Sequence, residues 1–281
     1  MIQDIEPSRL DNAYKPYNPD EEDPILLFDE NGRLCVYDQD GKIRFTTGKE
    51  IPTAGSVYLF SVDDVRYFLA SEGIQKDLPG YTYKSIRELR NVDQSKEIFA
   101  AFTAYHLWRW YTDNRRCGRC GEKNELHPKE RALQCARCGN VIYPRINPAV
   151  IVGVINGDSL LITRYRNGYG HNALVAGFTE IGETLEQTVE REVMEEAGIH
   201  VKNIRYYKSQ PWGMAQDLLA GFYCEVDGES EIRMDENELK YAEWVARDEI
   251  ILQPNKLSLT NEMMTVFKEG KEPHVGRNDQ E

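Results

Sequence analysis

The chain has 281 residues, of which 41% are hydrophobic, which is enough apolar material for two or three small domains with buried cores. Its formal net charge of −13 disfavours a general nucleic-acid-coating role, because an acidic surface repels polyanions unless bound divalent cations reverse the charge locally. No apolar run reaches the roughly 18 residues that a membrane-spanning helix needs, and the N-terminal residues do not resemble a signal peptide. We therefore expect a cytoplasmic protein.

Residues 1–95 predict a small α+β domain with no catalytic signal. The first twenty or so residues are polar and predict an irregular segment. An alternating pattern follows, with hairpin turns at Asn31-Gly32 and Asp40-Gly41 between short strands. Further strand-like sequence ends in SVYLFSVDD, and we expect a short helix near residues 66–73.

Residues 96–114 predict a helix that links this domain to the next segment. Phe99, Phe102, His106 and Trp110 recur at helical spacing and fall on one face. A stripe of this kind is typical of a buried core or a subunit interface rather than of a cofactor site.

Four of the six cysteines lie in two C-x2-C pairs within residues 115–145. Cys35 and Cys224 lie in apolar runs and are expected to be small buried hydrophobic side chains. The spacing of the two pairs is close to that of a zinc ribbon, which predicts a closed, structural Zn²⁺ site. A redox-active pair is the alternative, and the presence of two pairs disfavours it. The predicted ligands are Cys117, Cys120, Cys135 and Cys138.

The same segment is basic, although the chain is acidic. Its net charge of +5 has two explanations: the cations offset the negative thiolates around a metal, which we favour, or they face a polyanion such as RNA. The charged residues are Arg115, Arg116, Arg119, Lys123, Lys129, Arg131, Arg137 and Arg145 against Glu122, Glu125 and Glu130.

Residues 146–281 predict a layered α/β domain with a mixed sheet. A hairpin is expected at Asn156-Gly157-Asp158, and a helix from about Thr184 to Ala197 is expected to end at Gly198. Further strands follow, and the chain closes with a helix in LTNEMMTVFKEG. Strands flanked by helices on both sides favour an α/β/α arrangement.

The predicted helix carries an unusual set of carboxylates. Glu192, Glu195 and Glu196 are three or four positions apart, so they share one face, where they repel one another unless a cation lies among them. Hard divalent cations with oxygen ligands supply that charge. Arg191 is placed to reach Glu195 or Glu183.

The stretch from Gly177 to Ile199 resembles the box of the Nudix hydrolase family, G-x5-E-x7-R-E-U-x-E-E-x-G-U, at every fixed position. The resemblance implies an α/β/α Nudix sandwich that hydrolyses a nucleoside diphosphate linked to another group. It also implies Mg²⁺ or Mn²⁺ held by the three helix glutamates. Glu183 is expected to join the metal site or to brace Arg191, and both are candidate catalytic residues.

A zinc ribbon directly before such a domain resembles the NADH pyrophosphatase (NAD diphosphatase) family. That resemblance implies hydrolysis of NAD(H) to NMN(H) and AMP, removal of NAD caps from RNA, and a homodimer whose pocket is completed by the partner subunit. Glu238 corresponds to a further ligand of the catalytic metal. The implied substrate contacts are Tyr143, Phe178, Gln210 and Trp212, with Tyr143 and Trp212 as candidates for the pocket of the partner.

One motif departs from that family. After Ser209-Gln210-Pro211-Trp212, the chain has Gly-Met-Ala-Gln-Asp at residues 213–217, where the family has Pro-Phe-Pro-x-Ser. The loss of two prolines and a phenylalanine reshapes the expected pocket, and Asp217 adds a negative charge. A broader diphosphatase acting on ADP-ribose or other dinucleotides therefore remains an alternative, as does a nucleotide-sensing regulator without turnover.

Overall fold

The computed structural model describes residues 1–74, 77–92, 95–168 and 170–274. The chain divides into two compact units. The N-terminal unit contains residues 2–146 together with 212–216, and the C-terminal unit contains Met1 together with residues 147–211 and 217–281.

The N-terminal unit begins with two small sheets. One sheet has the strand order β1-β5-β6-β2 and the other β4-β3-β7. The turn at Asp40-Gly41 joins β3 to β4, as predicted, with Gln39 paired to Lys42. The strands are β1 (Leu10–Asp11), β2 (Ile25–Leu26), β3 (Leu34–Gln39), β4 (Lys42–Phe45), β5 (Val57–Val62), β6 (Val65–Leu69) and β7 (Tyr81–Lys84).

The prediction of a short helix near residues 66–73 is wrong, because residues 66–69 belong to strand β6. β5 and β6 form a hairpin in which Val62 pairs with Val65, and Asp63 in the connecting turn has a φ of 54°. A short apolar run fits a strand as well as a helix, and pairing with β5 decides between them. Phe68 is fully buried in the resulting core.

The predicted linking helix is α1 (Ser95–Asp113), and its aromatic stripe faces the core. Phe99, Phe102 and Trp110 are buried. The His106 Nε2 atom lies 2.8 Å from the carbonyl oxygen of Arg145, and burial lowers the pKa of His106. The structural interpretation of the stripe is therefore confirmed.

A three-stranded antiparallel sheet follows α1 in the N-terminal unit. Its strands are β8 (Asn124–Leu126), β9 (Leu133–Cys135) and β10 (Val141–Ile142), in the order β10-β9-β8. The turns at residues 117–121 and 135–139 lie beside these strands and carry the two C-x2-C pairs.

The C-terminal unit is built on a six-stranded mixed sheet of order β14-β15-β11-β12-β16, with β13 paired to β11. β11 runs parallel to β15 and antiparallel to β12 and β13. The strands are β11 (Asn147–Asn156), β12 (Ser159–Tyr165), β13 (Val175–Phe178), β14 (Val201–Trp212), β15 (Asp217–Val226) and β16 (Leu239–Ala246).

A helix covers each face of this sheet. Val150, Val152 and Val154 alternate along β11 and form one core with residues of α2 (Leu185–Ala197). Ile151 points to the other face, where it belongs to a core built around α3 (Leu259–Lys268). The period of two along the strand separates the two layers, and the expected α/β/α sandwich is confirmed.

The ends of α2 follow from the sequence. The Thr184 hydroxyl accepts a hydrogen bond from the Gln187 N–H, and the Gln187 side chain accepts one from the Thr184 N–H, which forms a capping box. Gly198 ends the helix with a φ of 70°. Both boundaries agree with the prediction.

We expect Gly198→Ala to lower the free energy of unfolding by about 1–2 kcal/mol more than Gly157→Ala. Both glycines have a positive φ, of 70° and 60°. A Cβ atom on Gly198 would lie 2.8 Å from the Cβ of Arg233, whereas one on Gly157 would meet nothing within 4 Å. Urea denaturation of both variants measures the difference, and equal losses would contradict the steric argument.

Among the described residues, no helix combines the length and the apolar character that crossing a bilayer requires.

Candidate active site and metal centre

Strand β13 brings the first residue of the glutamate motif against helix α2. Gly177 pairs with Val150 and therefore points to the α2 face of the sheet. A Cβ atom on Gly177 would lie 1.9 Å from the Cδ atom of Glu192. Glycine is required here because the carboxylate of Glu192 occupies the space of a side chain.

Gly177→Ala is expected to displace Glu192 and to lower turnover at least tenfold, while the chain stays folded. The added Cβ would clash with the side chain of Glu192, which can move. The substitution should therefore shift the Glu192 carboxylate rather than unfold the chain. Gly170→Ala is the matched control, because a Cβ there would meet nothing within 4 Å. Steady-state kinetics with thermal unfolding of both variants test this, and unchanged turnover in Gly177→Ala would refute it.

Arg191 and Glu183 form a bidentate ion pair beside the glutamates of α2. The Arg191 Nε donates to Glu183 Oε1 at 2.6 Å, and its Nη2 donates to Oε2 at 3.0 Å. Glu183 also accepts from the Thr188 hydroxyl and the Glu180 N–H. The Arg191 guanidinium, aided by these donors, lowers the pKa of Glu183 to about 2. In this geometry Glu183 braces Arg191, and its other expected role, in the metal site, stays a prediction.

The other end of Arg191 reaches two of the helix glutamates. Its Nη1 donates to Glu192 Oε1 at 2.7 Å and to Glu195 Oε2 at 3.0 Å, and its Nη2 donates to the Phe178 carbonyl at 2.9 Å. The side chain of Glu192 is 13% exposed, whereas that of Glu195 is 60% exposed. Arg191 thus holds one largely buried carboxylate and one exposed carboxylate in place.

Glu196 is the buried member of the glutamate set. It is 2% exposed, and the hydroxyl of Tyr165 lies 3.3 Å from its Oε1 atom. Burial raises the pKa of Glu196 to about 8, and the negative charges of Glu192 and Glu238 add to the shift. Tyr165 was not among the predicted site residues. Its only sequence signal is a tyrosine at the end of a strand, which is too common to identify it.

Glu238 lies on a turn that is attached to the end of α2. The Asp235 N–H donates to the Glu196 carbonyl at 3.0 Å, and the Leu239 N–H closes the turn on the Asp235 carbonyl at 2.9 Å. The charge of Glu238 acts on both Glu192 and Glu196, so the turn brings a fourth carboxylate to the set.

The carboxylate set fits a hard divalent cation in its chemistry. All four side chains offer oxygen ligands, and one is buried where its charged form is costly without a nearby cation. Within the described ranges, however, only the four cysteines form a group of three or more metal ligands with all atoms inside 4.8 Å. The metal role of Glu192, Glu195, Glu196 and Glu238 therefore stays a prediction.

Two of the expected substrate contacts are exposed aromatic rings. Phe178 is 53% exposed at the end of β13, and Tyr143 is 58% exposed in the N-terminal unit, where its hydroxyl donates to Glu130 at 2.8 Å. A flat, exposed ring is suited to stacking on a base.

Trp212 packs inside the N-terminal unit. Its ring centroid lies 5.5 Å from that of Phe102, and the guanidinium of Arg90 lies 5.4 Å from the ring of Trp212. A Cβ atom on the next residue, Gly213, would lie 2.1 Å from the Phe102 carbonyl oxygen. The chain therefore needs glycine where the related family has proline.

Gln210 requires a correction. It was expected to contact substrate, but it is fully buried in the C-terminal unit. Its Nε2 donates to the Leu257 carbonyl at 2.8 Å, and its Oε1 accepts from the Leu259 N–H at 2.7 Å. A side chain with no exposed surface and both polar atoms paired holds the start of α3 and does not meet a ligand.

The four cysteines form a compact tetrad in the N-terminal unit. The Sγ atoms of Cys117 and Cys138 are 3.6 Å apart, and those of Cys120 and Cys135 are 3.4 Å apart. These separations approach the edge of about 3.8 Å in a tetrahedral Zn–thiolate site. A hydrogen bond from the Cys138 N–H, with further help from backbone N–H groups, lowers the pKa of Cys135 to about 7.

The two halves of the tetrad have the same backbone design. The Gly121 N–H donates to the Cys117 carbonyl, and the Gly139 N–H donates to the Cys135 carbonyl. No disulfide joins these residues, and Cys35 and Cys224 are buried as predicted. The tetrad suits a closed, structural metal site rather than a redox pair.

Comparison with known proteins finds a domain match over each of these two parts of the chain. Residues 113–143 match the NADH pyrophosphatase zinc ribbon domain, and residues 145–266 match the NUDIX domain. The chain is 41% identical over 171 residues to the NAD-capped RNA hydrolase NudC of Yersinia enterocolitica, and 45% identical over 175 residues to that of Escherichia coli O1:K1 / APEC.

These alignments cover 60% of this chain and 65% and 66% of the respective relatives, so the matched part is just under two thirds of their length. Among solved structures, a NUDIX hydrolase from Nitrosomonas europaea is similar, with a TM-score of 0.49 and 20% identity over 56% of this chain and 92% of that one. The two domain matches adjoin in the order that the motifs predict. The chain therefore contains an NADH pyrophosphatase zinc ribbon domain followed by a Nudix domain.

Proposed function

We propose that this protein is a metal-dependent diphosphatase that hydrolyses NAD(H) to NMN(H) and AMP. The observation that carries the proposal is the combination of a zinc ribbon of the NADH pyrophosphatase type with an intact glutamate motif in one chain. Relatives called NAD-capped RNA hydrolase are 41% and 45% identical to it over 60% of this chain.

In this proposal, Glu192, Glu195, Glu196 and Glu238 hold Mg²⁺ or Mn²⁺. When bound, the ions neutralise charge on the diphosphate and activate a water molecule. Arg191 is a positioning residue, since it holds Glu192 and Glu195 and is itself held by Glu183. The Tyr165 hydroxyl orients the buried carboxylate of Glu196.

The exposed ring of Phe178 is the proposed stacking surface for the nicotinamide. Arg191 donates a hydrogen bond to the backbone carbonyl of Phe178. This contact connects the proposed base site to the carboxylates that Arg191 also binds. Tyr143 has an exposed ring that suits the pocket of a partner subunit, and we propose a homodimer on that ground. Trp212 is the weaker candidate, because its ring is already packed against Phe102. We place the enzyme in the cytoplasm, where a reduced cysteine tetrad persists.

Initial rates on NADH, NAD⁺ and ADP-ribose under the same Mg²⁺ or Mn²⁺ concentration test the proposal. NADH or NAD⁺ is expected to give the highest kcat/KM. If ADP-ribose is preferred by tenfold or more, the chain is the broader dinucleotide diphosphatase that the altered motif at residues 213–217 leaves open.

Removal of NAD caps from RNA is the second activity that we propose. It is supported by the name of the relatives, NAD-capped RNA hydrolase, and by the basic segment around the cysteine tetrad, for which a polyanion such as RNA is one of the two explanations. Release of NMN from NAD-capped RNA, measured beside free NADH, is the direct test. An enzyme that hydrolyses free NADH and releases no NMN from the capped RNA would refute this activity.

A further inference from the structure

Arg166 is the first residue after strand β12, and it lies beside the turn at residues 235–239 that carries Glu238. Its backbone N–H donates to the Glu238 carbonyl at 2.8 Å. Its side-chain Nε donates to the Glu236 carbonyl, also at 2.8 Å. Arg166 therefore holds the turn at two points, one through its backbone and one through its side chain.

The guanidinium of Arg166 binds a backbone carbonyl although the turn carries two glutamates, Glu236 and Glu238. Among the residues that the structure describes, Arg166 forms no ion pair, and the carboxylate of Glu238 has neither an ion pair nor a hydrogen bond. An arginine paired with Glu238 would occupy the oxygens that a metal ion needs. Because Arg166 binds the backbone instead, those oxygens stay available as ligands for a hard cation.

The turn has a second attachment, at the end of α2. The Asp235 N–H donates to the Glu196 carbonyl at 3.0 Å. Burial, together with the negative charge of Glu238, raises the pKa of Glu192 and of Glu196, so Glu238 lies close enough for its charge to act on both. The contact with α2 fixes the start of the turn, and Arg166 fixes the part that carries Glu238.

The ladder between β12 and β16 is irregular just before this contact. The pairing moves from Tyr241 to Leu239 between successive residues of β12, so Lys240 is skipped. An extra residue on one strand disrupts the ladder locally and bends the strand. The side chain of Arg166 thus restrains the turn at a place where the strand pairing has just lost its regular register.

We infer that Arg166 is a positioning residue that holds Glu238 in place as a ligand of the catalytic metal ion. The inference rests on the proposed function and deepens it, because it assigns the residue that fixes the fourth carboxylate. Groups that hold metal ligands in place typically contribute about 10–100-fold to metal affinity.

The sign of the effect separates positioning from charge. The positive charge of Arg166 by itself repels a bound Mn²⁺, so removing that charge would tighten binding. The loss of positioning acts in the opposite direction, because an unrestrained Glu238 loses more conformational freedom when the ion binds. A folded variant that lacks this positive charge and binds Mn²⁺ more weakly therefore indicates positioning.

The test measures Mn²⁺ binding to the substrate-free protein by electron paramagnetic resonance. Arg166→Ala is expected to weaken binding about tenfold, and Arg166→Lys, which keeps the charge and a donor, about threefold. Lys240→Ala is the matched control, because it removes an exposed positive charge next to the same turn and should not weaken binding. Thermal unfolding of each variant shows whether it is folded, and Arg166→Lys carries the comparison if Arg166→Ala is not.

A double-mutant cycle with Glu238→Gln shows whether Arg166 acts through Glu238. If it does, Glu238→Gln weakens Mn²⁺ binding, and Arg166→Ala adds less than about twofold in that background. Fully additive losses, or Mn²⁺ binding that is unchanged or tighter in Arg166→Ala, would overturn the inference; a raised KM with unchanged Mn²⁺ binding would assign Arg166 to the substrate instead. A protein that shows the expected Mn²⁺ binding but hydrolyses no dinucleotide would refute the proposed function alone.

Discussion

Glu195→Gln is expected to lower kcat by about 10²–10³-fold on the preferred dinucleotide, with a much smaller change in KM. The substitution removes one negative charge from the proposed metal site but preserves the shape of the side chain. Because Glu195 is 60% exposed and pairs, among the described residues, with Arg191 alone, the loss should appear in catalysis and not in stability. Steady-state kinetics at saturating Mg²⁺ or Mn²⁺, with a thermal unfolding curve, measure both quantities.

Glu190→Gln is the matched control, because Glu190 is an exposed glutamate on the same helix outside the fixed positions of the motif. It should keep near wild-type kcat. Unchanged turnover in Glu195→Gln would exclude Glu195 from the metal site. Retained nucleotide binding with lost turnover would exclude the alternative of a sensor that never catalysed the reaction.

Cys135→Ser is expected to remove the metal from the zinc ribbon and to unfold that part of the N-terminal unit. Metal binding to tetrahedral thiolate sites contributes about 10–16 kcal/mol in isolated zinc-finger peptides, which exceeds what three short strands can supply by themselves. Cys135 is 1% exposed, and its Sγ atom lies 3.4 Å from that of Cys120. Elemental analysis should show the loss of about one zinc per chain, and limited proteolysis should cut within residues 115–145.

Cys35→Ala is the control for the loss of a buried thiol. Cys35 is as buried as Cys135 but lies outside the tetrad, so this variant should keep its zinc. A Cys135→Ser protein that retains a full equivalent of zinc and resists the protease would refute a structural role for the tetrad.

Local signals explain why much of the fold could be predicted. The boundaries of α2 depend on Thr184 and Gly198, each of which acts on backbone groups a few residues away. The turns at Asp40-Gly41 and Asn156-Gly157-Asp158 likewise depend on local residues, because Asp40, Gly41 and Gly157 adopt a positive φ. Because these interactions join residues only a few positions apart, a short segment of the sequence is enough to predict them.

The errors fall where distant residues decide. Residues 65–69 form a strand because β5 lies beside them, and their apolar pattern alone does not distinguish that from a helix. Gln210 lies in a motif associated with substrate. Both polar atoms of its amide nevertheless form hydrogen bonds with the backbone of Leu257 and Leu259, more than forty positions along the chain. A motif indicates which residues are near a site without showing which way each side chain points.

The sequence by itself determined the chemistry: the order of carboxylates on α2, the cysteine spacing and the hydrophobic periods are properties of residue type and local geometry. Tertiary structure alone decided the environment of each group. It buried Glu196 beside the Tyr165 hydroxyl, paired both polar atoms of Gln210 with the backbone, and left one oxygen of Asp217 without a donor among the described residues. Burial and pairing set charge and reactivity, and both depend on residues that meet only after the chain has folded.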